Sequence, residues 1–595
     1  MRLLARPPGT ARSDRGGCGG AVPRGSGPGR AAVTARTARP ARSVRSVPQV
    51  PAWWRSAVIY EIYLRSFADG NGDGTGDLAG VRARLPYLAR LGVDALWFTP
   101  WYPSPMADGG YDVVDYHGVD PLFGTLDEAQ RLIAEALELG IRTVVDIVPN
   151  HVSSAHPWFR AALAAPPGSA ERALFHFRPG RGPSGQEPPN NWRSEFGGPA
   201  WTRTAGPDGS PGEWFLHLFS PDQPDLNWGH PRVRDAHEEV LRFWLNRGVA
   251  GLRVDSATLL AKDPALPDLA DPGLAPEGPS HPYADREELH GLYRSWRRIT
   301  DSYPGDRALI GEMWLHEPGR FARYLRPDEL HTAFNFDFLR SPWDAGQLRR
   351  CVDATLAAHG GAPACWVLCN HDVTRTVTRY GRARTGFDFA AKAHGTPTDL
   401  ALGTRRARAA ALLTLALPGS VYLYQGEELG LPEVEDIPAD RLRDPMHFRS
   451  GGEDPGRDGC RVPLPWSGAA PPYGFTDEDA EPWLPQPKGW AELTVEAQEG
   501  AAGSMLELYR EALRLRRALP ALHGAPLEWL PGGPGVLAFR RGDVVCVVNL
   551  SDRAVPLPEG HTVLLTSEPG PPGGAALAPD AAAWTVQDGK DGGHA

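Results

Sequence analysis

Two hydrophobic rhythms alternate along this chain. From Trp53 onward, short apolar runs are separated by stretches in which apolar residues recur every three or four positions, as in strand–helix repeats around a parallel sheet. The run 58–63 reads as a first strand. Leu85, Leu88 and Leu91 predict a helix ending at Gly92, and 95–98 runs into Thr99-Pro100 as a second strand. The cycle repeats: Thr125 and Glu128 have capping-box spacing, Leu132, Ile133, Ala136 and Leu137 form a helical stripe, Gly140 closes it, and 143–148 is a third strand. The next strong strand, 251–255, comes so much later that a lobe must be inserted, and the polar, Trp-, Gly- and Pro-rich stretch 156–229 is assigned to it. Further strands are expected at 308–311, 332–338, 366–369 and 421–424. Eight such units predict an α/β fold, a (β/α)8 TIM barrel built from 51–155 and 230–520, with its active site at the C-terminal ends of the strands. After a last helix over 504–517, the alternating runs from Val536 and Val544 predict a C-terminal antiparallel β domain, 521–595, whose Gly-, Pro- and Ala-rich tail beyond 567 is expected to be loosely ordered. No repeat of fixed period is visible.

Charge divides the chain. Residues 1–50 hold ten Arg against one Asp, a net of +9 within an overall −10, and their Gly and Pro content predicts a disordered extension. The remaining 545 residues are acidic, with a net of −19, so a nucleic acid would meet repulsion from that body. Only four of the 62 basic residues are Lys, a bias better explained by codon usage than by a binding surface. Six scattered cysteines without paired spacing argue against a zinc or disulfide framework and fit a reducing cytoplasm. Cys365 and Cys369 read as small buried hydrophobes. No apolar stretch has the length of a membrane span or of a signal-peptide core, so no membrane partner is expected.

The candidate chemistry gathers where strands end: Asp146-Ile-Val-Pro-Asn-His151, Gly251-Leu-Arg-Val-Asp255, Ile310-Gly-Glu312 and Cys369-Asn-His-Asp372. A barrel delivers these ends to one mouth, so Asp255, Glu312 and Asp372 are expected to share a cleft. Two carboxyl groups flanking an acetal oxygen can hydrolyse a glycosidic bond, one as nucleophile and the other as acid and then base. Arg253, two residues before Asp255, is suited to keep that side chain ionised, while Glu312 beside Met313 and Trp314 is placed for a raised pKa. Trp101, Tyr111 and Trp314 follow strand ends and are candidates to line the pocket. Separately, Asp69-Gly-Asn-Gly-Asp-Gly-Thr-Gly-Asp77 sets oxygen ligands at alternate positions; it is either a solvated acidic turn or a metal loop, and Gly80 at the twelfth position rules out an EF-hand.

With these motifs in order, the chain resembles the α-amylase superfamily, glycoside hydrolase family 13, from about Trp53 to the C-terminus. Gln223-Pro-Asp-Leu-Asn227 and Gly110-Tyr-Asp112 resemble its oligo-1,6-glucosidase and α-glucosidase branch. The resemblance implies Asp255 as nucleophile, Glu312 as general acid/base and Asp372 as the carboxylate steadying the distorted sugar, with Arg253, His151 and His371 around the reacting glucose. It implies that Asp112 grips the non-reducing glucose and that Arg457 and Arg461 lie near the site, although the segment carrying them, Gly456 to Trp466, departs from the branch pattern at several positions. It also implies a structural Ca²⁺ or Mg²⁺ held by Asp69, Asn71, Asp73, the Thr75 carbonyl and Asp77. Ser256 stands after the nucleophile where α-1,6-preferring members usually have Val, which leans toward α-1,4 or mixed substrates. The expected function is a retaining exo-α-glucosidase acting on small α-glucosides. Its alternatives are a transglycosidase or isomerase such as a trehalose or isomaltulose synthase, an oligo-1,6-glucosidase, and a non-catalytic amylase-like binding protein, which would lack the carboxylates. A nucleic-acid or membrane tether built on the arm is disfavoured, and oligomeric state is not legible.

Overall fold

Apolar runs bounded by turn residues become the eight staves of a parallel barrel. In the computed structural model these are β1 (Val58–Ile62), β2 (Ala95–Phe98), β3 (Arg142–Ile147), β4 (Gly251–Val254), β5 (Ala308–Gly311), β6 (Thr332–Ala333), β7 (Cys365–Val367) and β8 (Ser420–Tyr424). It describes residues 52–206, 208–271, 278, 280–570 and 576–588; the arm read above as disordered lies outside the described residues. All pairings within the sheet are parallel, in the order β7-β8-β1-β2-β3-β4-β5-β6. Between β6 and β7 the Asn335 N–H donates to the Cys365 carbonyl at 3.0 Å and draws the ring together.

The period of two sorts each strand into two faces. Ile59, Trp97, Val144, Ile310, Val367 and Tyr422 pack together inside the barrel. Their neighbours Val58, Leu96, Val145, Leu252, Leu309 and Leu423 face the helices in the main core. The helix after β1, α1 (Leu78–Leu91), starts on Asp77, whose carboxylate accepts the Gly80 N–H, and ends on Gly92 at φ 93°. The helix after β2, α2 (Leu126–Glu138), carries the expected capping box of Thr125 and Glu128. It buries Leu132, Ile133 and Ala136, whereas Leu137, expected on the same stripe, is exposed.

Two expectations are corrected. The strand expected over 332–338 stops after Ala333, because the Asn335 side chain accepts the Phe338 N–H and starts the short helix Phe336–Arg340. The tail beyond 567 is not uniformly loose. Ala576–Leu577 pairs with Val555–Pro556, and Ala581–Gln587 lies inside the C-terminal antiparallel sheet, between Val544–Asn549 and His561–Thr566, with Trp584 fully buried. Small alanines allow the close packing that their composition had suggested was lost.

Between β3 and β4 the chain forms a three-stranded antiparallel sheet, with Pro211–Leu216 between Phe177–Arg178 and Trp201–Ala205. Trp192, Trp201, Leu216 and Leu218 pack there against Leu259, Leu266 and Tyr283 from the connection after β4. The barrel's own loop thus completes the core of the lobe. No disulfide forms among the described cysteines, and no described helix is long and apolar enough to cross a membrane.

Candidate active site

On several strands the inward line begins apolar and ends polar. Ile59 is followed by Glu61 on β1, Val144 by Asp146 on β3, and Ile310 by Glu312 beyond β5, while Gly251, Arg253 and Asp255 succeed one another at β4. Hydrophobic filling gives way at the last inward position, and a ring of ionisable groups results at the C-terminal mouth.

Arg253, 1% exposed, organises that ring. Its Nη1 donates to both Asp146 oxygens at 2.9 Å and to Asp255 Oδ1 at 2.7 Å, and its Nη2 lies 3.0 Å from Glu312 Oε2. One planar guanidinium therefore contacts both candidate reacting carboxyls, a task for which its rigid fork is suited and a lysine is not. Glu312 also accepts from the Ser256 N–H (2.8 Å) and the Trp314 Nε1–H (2.9 Å). Burial raises its pKa to about 7, with the anions Asp255 and Asp372 adding to the effect of burial against Arg253. Burial also raises Asp255, opposed first by Arg253.

Asp372, beyond β7, is oriented differently. Its Oδ1 accepts from Arg461 (2.9 Å) and Arg457 (3.1 Å), and its Oδ2 faces His371 Nε2 at 3.5 Å. Burial alone would raise this carboxyl, but His371, Arg457 and Arg461 hold it well below the usual range. Asp372 therefore stays an anion beside a site where Glu312 can carry a proton.

His151 is buried and neutral, lowered to about 4 by burial, with Nε2 3.2 Å from the Tyr111 carbonyl and 3.1 Å from Gln223 Nε2. His371 stacks with Tyr111 and with Tyr63, and the Tyr111 hydroxyl donates to Asp146 at 3.0 Å. Trp314 lies at the mouth through Glu312, but Trp101 packs on Phe98 and Trp244 outside the barrel and does not line it.

Asp112 is not brought to this cluster. Its carboxylate accepts from the Ser104 hydroxyl and the Ala107 and Asp108 amides, and so braces its own loop. Asp108, four residues earlier, reaches the cluster instead, 2.6 Å from Arg457 Nη2 and 3.0 Å from Gln223 Nε2. A Cβ at Gly109 (φ 58°) would lie 2.7 Å from the Tyr63 hydroxyl, so the glycine lets this turn approach the site. The two glycines after Asp108 were the available signal. Arg457 and Arg461 do join the cluster, with Asp444 2.5 Å from Arg457 Nε. Sequence reasoning also missed Lys262, whose buried ammonium contacts Asp225 (2.7 Å), Asn150 (2.5 Å) and the Leu259 carbonyl (2.7 Å), pinning the lobe to the connection after β4.

In the loop after β1, the Asp69 carboxylate accepts from the Asn71, Gly72 and Gly74 amides, Asn71 from Asp73 N–H, Asp73 from Thr75 N–H, and Asp77 from Gly70 and Gly80. Among the described residues no Lys or Arg pairs with these carboxylates, and no three His, Cys, Asp or Glu side chains converge as a ready cage.

Known proteins share both sequence and architecture. The family profile of the alpha amylase catalytic domain matches residues 61–524, and a domain of unknown function matches 531–584. A probable alpha-glucosidase of Rhizobium meliloti (strain 1021) is 39% identical over 527 residues, covering 84% of this chain and 90% of that protein. Among solved structures, the alpha-glucosyl transfer enzyme XgtA superimposes with a TM-score of 0.77 at 36% identity, over 90% of this chain and 99% of its own. The trehalulose synthase MutB from Pseudomonas mesoacidophila MX-45 superimposes with a TM-score of 0.78 at 30% identity, over 91% of this chain and all of its own. The profile spans the barrel, its inserted lobe and the polar mouth described above, and the chain belongs to the alpha-amylase family and is a glycoside hydrolase.

Proposed function

We propose that the protein is a retaining, exo-acting α-glucosidase that releases terminal α-linked glucose from maltose and short oligosaccharides, with α-1,4 bonds favoured. The observation that carries this reading is the shared fork of Arg253, which contacts Asp255 and Glu312 together. Such an arrangement suits the close carboxyl spacing of double displacement, about 5–5.5 Å, better than the wider gap of inversion. Asp255 attacks the anomeric carbon while Glu312 protonates the departing oxygen, which leaves a glucosyl ester on Asp255. The Glu312 carboxylate then takes a proton from water as that water displaces Asp255, and α-glucose leaves with its configuration retained. Asp372, kept anionic, stabilises positive charge on the ring at both steps. The Asp108–Arg457 pair, with Phe196 of the lobe 5.0 Å from the Arg457 guanidinium, supports an end wall and hence cleavage of terminal residues. Ser256, smaller than Val, supports α-1,4 or mixed linkages.

A second reading, transfer of the glucosyl group to a sugar acceptor, is favoured by the two superimposable structures named for transfer and synthase activity. Incubation with maltose, isomaltose, sucrose and trehalose separates the two: free glucose as the main product supports hydrolysis, and rearranged disaccharides support transfer. In the hydrolytic reading NMR detects α-glucose first and Asp255→Asn abolishes turnover in a folded protein; initial β-glucose overturns retention, and substantial residual turnover overturns the nucleophile.

The proposal includes a structural Ca²⁺ or Mg²⁺ at Asp69, Asn71, Asp73, the Thr75 carbonyl and Asp77. The donor set fits a hard cation, since three carboxylates crowd one loop without a basic partner, and Asp69 and Asp73 both push the Asp77 pKa upward, in addition to the effect of its burial. The ion would supply charge neutralisation to the loop and take no part in the reaction.

A further inference from the structure

Glu61 is the inward residue at the end of β1, 1% exposed and without a role in the reaction derived above. Its Oε1 lies 2.5 Å from His371 Nδ1 and 3.4 Å from the His371 amide. Two near-parallel rings restrain the imidazole plane, Tyr111 at 5.3 Å and 9° and Tyr63 at 5.8 Å and 25°. With Nδ1 meeting Glu61 and Nε2 3.5 Å from Asp372 Oδ2, the remaining variable is which nitrogen carries the proton.

We propose that Glu61 stands as a neutral acid that donates its proton to His371 Nδ1, leaving the Nε2–H directed at Asp372, and is thereby a positioning residue of the hydrolytic site. Three groups of observations support it. The pocket around Glu61 already holds the carboxyls of Asp372 beyond β7 and Asp146 on β3, with Arg253 on β4 paired to Asp146, Arg457 and Arg461 paired to Asp372, and Tyr422 and Tyr424 on β8 close by. Burial pushes the Glu61 carboxyl well above the usual range, Asp372 and Asp146 push the same way against Arg253 and the His371 amide, and burial pushes the imidazole down to about 3. The alternative, an ionised Glu61 accepting from Nδ1–H, would place another anion in this ring. A neutral imidazole would then turn a bare Nε2 toward the Asp372 carboxylate, lone pair against lone pair.

The inference rests on the α-glucosidase reading only for its kinetic arm. Neutron diffraction from deuterium-exchanged crystals of the whole enzyme at neutral pD should show a deuteron on the Glu61 carboxyl and on His371 Nε2, with Nδ1 bare; a deuteron on Nδ1 overturns the proposal whatever the substrate. In kinetics on maltose, Glu61→Gln, which can still donate, should lower kcat/KM by no more than about threefold, whereas Glu61→Met, similar in size but without a donor, should lower it at least about thirtyfold, mainly in kcat. Circular dichroism and thermal melting establish that both variants are folded. Equal losses in two folded variants would overturn the donor role, and a wild-type enzyme inert toward every α-glucoside would overturn the substrate reading while leaving the deuteron assignment standing.

Discussion

At the scale of single residues, Glu312 is set by competition. Burial, then Asp255 and Asp372, favour its protonated form; Arg253 and the Ser256 N–H favour the carboxylate, and the outcome is a pKa of about 7. A general acid works only while protonated, so kcat/KM should fall as pH rises through about 7, with an acid limb set by Asp255 above its ordinary 3.8. Trp314 donates to Glu312 Oε1 and stabilises the charged form, so Trp314→Phe should move the alkaline limb upward. An unmoved or lowered limb in the pH–rate profile would count against Glu312 as the acid. Residue type and position at a strand end were readable from the sequence, whereas the choice between Asp108 and Asp112 was not. Both flank the same Gly-Gly-Tyr, and only the loop's path decides which carboxylate meets Arg457 and which meets backbone amides.

At the scale of elements, local chemistry was read best where one side chain answers another nearby. The Thr125–Glu128 box forms as its spacing predicts, and both donors at the start of α2 are satisfied. Thr125→Ala should cost about 1 kcal/mol, seen as a lower denaturation midpoint with kcat unchanged, since this helix start lies outside the polar mouth. The short β6 shows the converse: 332–338 has the aromatic and β-branched content of a strand, yet Asn335 turns it into a helix start. The strand signal was real but shorter than its composition, because one capping hydrogen bond outweighs a propensity worth a fraction of a kcal/mol per residue.

At the scale of the whole molecule, distant segments are tied by polar contacts that no local pattern announces. Asp69 accepts from the Thr476 hydroxyl and its amide donates to the Phe475 carbonyl, so the loop after β1 is fastened to the segment before the last barrel helix. A cation there should brace that junction: EDTA should lower the melting temperature and Ca²⁺ restore it, while Asp73→Asn should melt like the chelated enzyme and no longer respond to Ca²⁺. Indifference of the wild type to both reagents would refute the metal. Eight strands, their order along the chain, the inserted lobe and the three carboxylates were determined by the sequence itself, because periodicity and the polar residues at strand ends are local properties of the chain. The fork of Arg253 across Asp255 and Glu312, the presence of Asp108 rather than Asp112 in the cluster, the stacked His371 and the buried Lys262 were decided only by tertiary structure. Each depends on side-chain directions from segments up to several hundred residues apart, and burial sets their charge states only once those segments have closed around them.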